Sequence, residues 1–144
     1  MEKLIESMKR TFSVHFQYYV KAHGFHVNVV GPNFTQYHEL FGKIYEHAQE
    51  EIDNIAEQIR AIEGIAPFSM ARIMELGDIK DSKERPKAEQ MVKDLLADSQ
   101  TLENHYMESY DMAEELNAAG LCNYLGGLID THKKYQWMLR STLE

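Results

Sequence analysis

The chain holds a single cysteine, Cys122, in 144 residues. An intrachain disulfide is excluded, so an apolar core must supply the stability, which a chain of this length can bury. One thiol and no disulfide favour a reducing, cytoplasmic setting. Proline is confined to positions 32, 67 and 86, and glycine occurs 8 times. No alternating strand pattern or hairpin turn signal is present. No run reaches the ~18 apolar residues that a membrane-spanning helix needs. The opening MEKLIESMKR scatters its charges and lacks the apolar segment of a leader peptide. Basic residues are outnumbered, 15 Lys and Arg against 23 Asp and Glu, for a formal net charge of −8. Such a chain repels nucleic acid unless a local basic arm offsets the balance. The N-terminus offers only Lys3, Lys9 and Arg10, mixed with Glu2 and Glu6, and the C-terminus reads RSTLE. DNA binding is therefore expected to be weak or nil at physiological salt.

What is present is long stretches rich in Glu, Lys, Leu, Met and Ala, which read as helices. Leu4, Met8, Phe12, Phe16, Tyr19 and Val20 recur at helical spacing and place a first helix over Lys3 to Val27. The Gly-Pro turn of VVGPN breaks it. A second helix spans Phe34 to Ile62, with Gly64 as its C-terminal cap. The connection that follows contains MARIMEL, enough for a short helix of two turns. A third helix is expected from Pro86 to Ala118, with proline in its first turn, and a fourth from Leu121 to the end. This pattern predicts an all-α fold: one domain over residues 1–144, a four-helix bundle with a short extra helix in the long crossover between helices two and three. Gly126-Gly127 inside the last helix is read as a site of close helix packing.

The second helix carries the chemistry. At about 100° per residue, Phe34, Tyr37, Phe41, Ile44, Ala48, Ile52, Ile55, Ile59 and Ile62 fall on one side. Glu46, Glu50, Asp53 and Glu57 fall on the other, with His38 at the boundary. The simplest interpretation is an apolar side to the core and an acidic side to water. Two details oppose it. Like charges at helical neighbour spacing repel by a few tenths of a kcal/mol per pair, and few bases offset them before Arg60. Imidazole and carboxylate on helices are also ligand chemistry for iron, manganese or zinc. A single helix cannot build the site, because His38 and Asp53 are about 22 Å apart along its axis. A second copy packed antiparallel about a two-fold axis near His47 and Ala48 brings position 38 level with 57 and position 42 level with 53. Isologous contacts of this kind are the commonest homodimer symmetry. His26, ending the first helix, could join from the His38 side. The other histidines, His23, His47, His105 and His132, are read as surface or core hydrogen-bonders, and His15 as a neighbour of the site on the face of Tyr19 and His26. The eight methionines are read as core filling.

The segments HVNVVGPNFTQYHELF and EEIDNIAEQIRAIEG resemble the signature of the Dps proteins, or mini-ferritins. That signature has two histidines twelve residues apart, a carboxylate four further on, then Asp-x-x-x-Glu eleven residues later. His26, His38, Asp53 and Glu57 fall on it at the right spacing. The similarity continues through EQMVKDLLADSQTLENHYMESYDMAEEL and WMLRSTL, and so covers essentially the whole chain. The resemblance implies a ferritin-like fold and a hollow homo-oligomer of twelve subunits with metal sites at two-fold interfaces. His26 and His38 would come from one chain, and Asp53 and Glu57 from its mate. It implies oxidation of Fe(II), typically by hydrogen peroxide, storage of Fe(III) in the shell, and protection against oxidative stress. Iron is the implied metal, with zinc as a substitute. Glu46 and Glu50, with Glu39 more weakly, become candidates for mineral nucleation beside the alternative of a merely hydrated cavity wall. Glu108, Asp111, Glu114 and Glu115 are read as a solvated helix face in preference to a pore lining.

The sequence departs from the signature twice. Gly42 stands where the carboxylate after His38 is expected, so the second metal position lacks an oxygen donor; Glu46, one turn on, is a candidate substitute. Val27 stands where the family usually has tryptophan, an aromatic suspected of intercepting radicals; Tyr37 and Tyr45 are near in sequence. Three readings therefore stand side by side: an iron-oxidising storage protein, a metal-binding shell with a one-metal or slow site, and a DNA-compacting structural protein.

Overall fold

The structure, a computed structural model, describes all residues from Met1 to Glu144. Five helices follow in order: α1 Glu2–Asn28, α2 Phe34–Ala61, α3 Met70–Leu76, α4 Ala88–Glu115 and α5 Ala119–Leu143. The long helices pair as α1 with α2 and α4 with α5; α1 joins the pairs by packing on α4, and α3 lies on α1. This is the expected four-helix bundle with a short helix in the crossover. Pro86 lies two residues before α4 rather than in its first turn, because Lys87 is the cap.

Apolar residues at three- and four-residue spacing supply the core. Leu4, Met8, Ile44, Ile55, Ile59, Leu95, Leu102 and Leu125 are fully buried; burying such a side chain stabilises by about 1.5–3 kcal/mol. The two ends of the predicted apolar stripes behave differently: Val20 and Phe34 are 49% and 42% exposed. The glycine pair of α5 is also unlike expectation. A Cβ at Gly126 or Gly127 would meet nothing within 4 Å, so neither glycine serves close packing within the chain.

Gly64 closes α2 as expected, but not by adopting the left-handed conformation. That falls to Glu63, at φ 69°. Gly64 is instead crowded: a Cβ there would stand 2.7 Å from Ile5 Cγ2. Its N–H donates to the Ile59 carbonyl at 2.9 Å, and Arg60 donates a guanidinium N–H to the Gly64 carbonyl at 2.6 Å.

A chain of hydrogen-bonded polar side chains runs through the apolar interior of the bundle. His15 Nε2 lies 2.8 Å from the Ala48 carbonyl. A carbonyl only accepts, so that nitrogen carries the proton and Nδ1 is the acceptor in a neutral ring. Tyr106 O–H therefore donates to His15 Nδ1, at 2.6 Å. His132 Nε2–H then points to the Tyr106 oxygen at 3.4 Å, and Ser99 O–H donates to His132 Nδ1 at 2.8 Å. Gln136 donates to Ser99 at 3.3 Å and to Glu103 at 2.8 Å. One carbonyl on α2 thus fixes the direction of a chain of hydrogen bonds crossing all four long helices. Burial holds His15 in the neutral form, its pKa lowered to about 4, and pushes His132 well below the usual histidine range. Beside this chain, Tyr124 O–H donates to Glu51, tying α5 to α2.

Candidate metal centre

Helix α1 ends at Asn28, so the carbonyl of His26 has no N–H four residues on within the helix to receive. The turn over residues 29–33 folds α2 back beside that end. His38 Nδ1–H donates to the His26 carbonyl at 2.7 Å, and His26 Nδ1–H donates to the His38 carbonyl, also at 2.7 Å. The two imidazoles stack with centroids 3.9 Å apart and planes 15° from parallel. Phe34 lies over His38 at 5.1 Å, and Tyr45 lies against His26 at 4.9 Å. Tyr45 also contacts His23, at 4.7 Å. Fixing a proton on each Nδ1 leaves each Nε2 with its lone pair, and neither Nε2 has a protein hydrogen-bond partner. Imidazoles that ligate metals are oriented in this way, through the N–H on the far side of the ring.

The acidic residues lie further along α2. Asp53 and Glu57 are exposed and one turn apart. A hydrogen bond to Asp53, reinforced by its charge, raises the Glu57 carboxyl above the usual range. The pair favours a shared proton at low pH, and a cation would remove the repulsion in its place. Glu39, Glu46 and Glu50 are also exposed on α2. Glu50 and Glu46 face Tyr135 closely enough to help burial raise its phenol pKa. Glu108, Asp111, Glu114 and Glu115 are all exposed on α4.

The structure thus brings His26 and His38 together and leaves Asp53 with Glu57. No three His, Cys, Asp or Glu side chains converge within one chain. His15 is not a neighbour of the site: its partners are Tyr106 and Ala48 in the bundle centre. His132 and His105 are hydrogen-bonded as expected, His105 to Asp78 at 2.9 Å. His47 differs, since its Nδ1 is buried without a partner. Of the two tyrosines near the site in sequence, only Tyr45 reaches His26; Tyr37 stacks on Phe41. No sequence signal marked the reciprocal histidine bonds or the Tyr106 network.

The ferritin-like domain family matches residues 5–144. The crystal structure of a Dps protein from Bacillus brevis superposes with a TM-score of 0.95 at 30% identity, covering 99% of this chain and 96% of that one. This chain is a Dps-type member of the ferritin-like family. Among relatives of this Dps-type chain, a DNA protection during starvation protein of Brevibacillus brevis is 33% identical over 126 residues, 88% of this chain and 85% of its own length. General stress protein 20U of Bacillus subtilis is 28% identical over 142 residues, 99% and 98% of the two chains. Antigen TpF1 of Treponema pallidum matches in structure with a TM-score of 0.95 at 26% identity, covering 99% and 92%. Iron binding and protection against oxidative stress are the general functions of the Dps family, and its members assemble as homo-oligomeric shells. No helix of this chain is long and apolar enough to cross a membrane.

Proposed function

We propose that this Dps-type chain assembles as a dodecameric shell, oxidises Fe(II) with hydrogen peroxide at its two-fold interfaces, and stores Fe(III) inside. The observation that carries this reading is the His26–His38 pair, with both Nδ1 protons held by carbonyls and both Nε2 lone pairs free. Its counterpart is the Asp53–Glu57 pair, too far along α2 to serve the same chain's histidines. An antiparallel mate brings them level. His26 and His38 bind the metal as neutral donors, while Asp53 and Glu57 of the partner subunit supply negative oxygen and charge neutralisation. Two Fe(II) give two electrons; peroxide takes them with two protons and leaves as two waters. Removing both reagents prevents formation of hydroxyl radical. Glu39, Glu46 and Glu50 receive the ferric product at exposed positions on the same helix. Zinc substitutes for iron in such a donor set.

Mixed assembly tests the interchain site. His38→Ala and Asp53→Ala shells are each expected to lose iron oxidation. Dissociating and reassembling them together is expected to restore part of it, because a histidine pair from one chain meets an intact acid pair from the other. No recovery from well-formed hybrid shells would refute a site shared between chains.

A further inference from the structure

Tyr18 and Tyr106 are both fully buried, and they differ in what can receive the phenol proton. The Tyr18 hydroxyl has no hydrogen-bond partner. Tyr106 O–H donates to His15 Nδ1 at 2.6 Å. His15 is itself fully buried, and its Nε2–H is held by the Ala48 carbonyl at 2.8 Å. A second ring, His132, directs its Nε2–H at the Tyr106 oxygen from 3.4 Å. The half-buried Tyr135 donates instead to the Lys43 carbonyl at 3.4 Å, an acceptor that cannot keep a proton. Tyr106 and His15 share no residue with the metal centre.

An electron tunnels through packed protein, whereas a proton moves only along a short hydrogen bond. A buried phenol without a base therefore resists oxidation, because its proton is stranded beside the radical. We propose that Tyr106 is a reversible one-electron redox site, with His15 as the acceptor of its proton, that quenches oxidants of the hydroxyl-radical class. Tyr106 gives one electron to the oxidant, and its proton crosses to His15 Nδ1. The products are a neutral phenoxyl radical and an imidazolium. Hydroxyl radical takes the electron with one proton from solvent and leaves as water. The imidazolium keeps both contacts, Nε2–H to Ala48 and Nδ1–H to the phenoxyl oxygen, so no buried polar atom loses its partner. Burial lowers the His15 pKa to about 4, but a phenol stripped of one electron is a far stronger acid than an imidazolium, and the proton still transfers. A one-electron reductant, a ferrous ion or a thiol, restores the phenol as His15 returns the proton. Burial also keeps the radical from coupling with a phenol of another chain.

The test oxidises the metal-stripped full chain with photogenerated tris(bipyridine)ruthenium(III), with persulfate as the terminal electron acceptor. Frozen samples are read by electron paramagnetic resonance. A tyrosyl signal is expected, identified by its change in protein carrying ring-deuterated tyrosine. In protein carrying isotope-labelled histidine, pulsed measurements are expected to show coupling of that radical to a histidine nitrogen. Tyr106→Phe is expected to lose the coupled signal, and His15→Phe to lose it although Tyr106 remains. A signal of full strength in folded Tyr106→Phe protein, carried by Tyr124 or by the exposed Trp137, would overturn the proposal. So would the absence of any tyrosyl signal, or a tyrosyl radical in the unaltered protein without histidine coupling, a readout that needs no variant to fold.

Discussion

His26 and His38 each donate a ring proton to the main-chain carbonyl of the other, at 2.7 Å in both directions. The reciprocity ties the end of α1 to the start of α2 and fixes both tautomers by one arrangement. Four expectations rest on this pair and on the hydrogen-bonded chain inside the bundle, and a fifth rests on the net charge.

Gly42→Ala separates stability from binding. Alanine favours a helix interior by about 1 kcal/mol over glycine, yet its methyl would press on the His26 ring at 3.0 Å. Zinc affinity is expected to fall ~10–100-fold, the usual cost of disturbing what orients a ligand. Calorimetric titration measures the affinity, and thermal melting is expected to show no loss of stability to match.

Acid is expected to destabilise the fold through its buried histidines. His15, His47 and His132 have pKa values lowered chiefly by burial. Below pH 6.5 the unfolded chain takes up protons that the folded chain refuses, so stability falls as pH drops. For His15 the fall continues to about pH 4, and it amounts to roughly 3 kcal/mol. Urea midpoints at pH 7 and pH 5 read this directly; equal midpoints would contradict the neutral, buried assignment.

Tyr106→Phe removes the donor to His15 Nδ1 and leaves a buried acceptor unpaired. The expected loss is about 1–3 kcal/mol in urea unfolding. The double variant with His15→Phe is expected to lose less than the sum of the single changes, since the two residues share one hydrogen bond.

Tyr45 contacts the ring of His26 and is the nearest phenol to the histidine pair. If it intercepts radicals formed during iron oxidation, Tyr45→Phe will raise spin-trapped hydroxyl radical during turnover with Fe(II) and peroxide. Tyr37→Phe serves as the control, because Tyr37 stacks on Phe41 instead. Equal trapping by the two variants would count against Tyr45.

DNA retention is expected to be weak or absent in a gel-shift at moderate salt. Each chain carries a net charge of −8, and assembly multiplies the repulsion. A tight complex under those conditions would show a basic surface that the charge balance conceals.

Helical spacing alone made the bundle legible. The positions of the breaks followed from Gly31, Pro32 and Gly64, although the left-handed residue proved to be Glu63. Position along a helix also showed that His38 and Asp53 of one chain cannot share an ion. The Tyr106 network was not legible, because His15 and Tyr106 are 91 residues apart and nothing local in either helix marks the bond. The role of Gly42 was half legible: a missing carboxylate could be read, but not the imidazole that fills its place.

The sequence by itself determined the helices, their apolar faces and the acidic stripe on α2, since periodicity within one helix fixes which side chains share a face; the four candidate ligands came from its resemblance to the Dps signature. Only the tertiary structure decided that His26 and His38 fix each other's protons, that Gly42 makes room for the pair, and that three histidines are held by burial with lowered pKa values. Those outcomes depend on the rotation and approach of different helices, and a hydrogen bond or a close stack changes over tenths of an ångström that no pattern along one chain records.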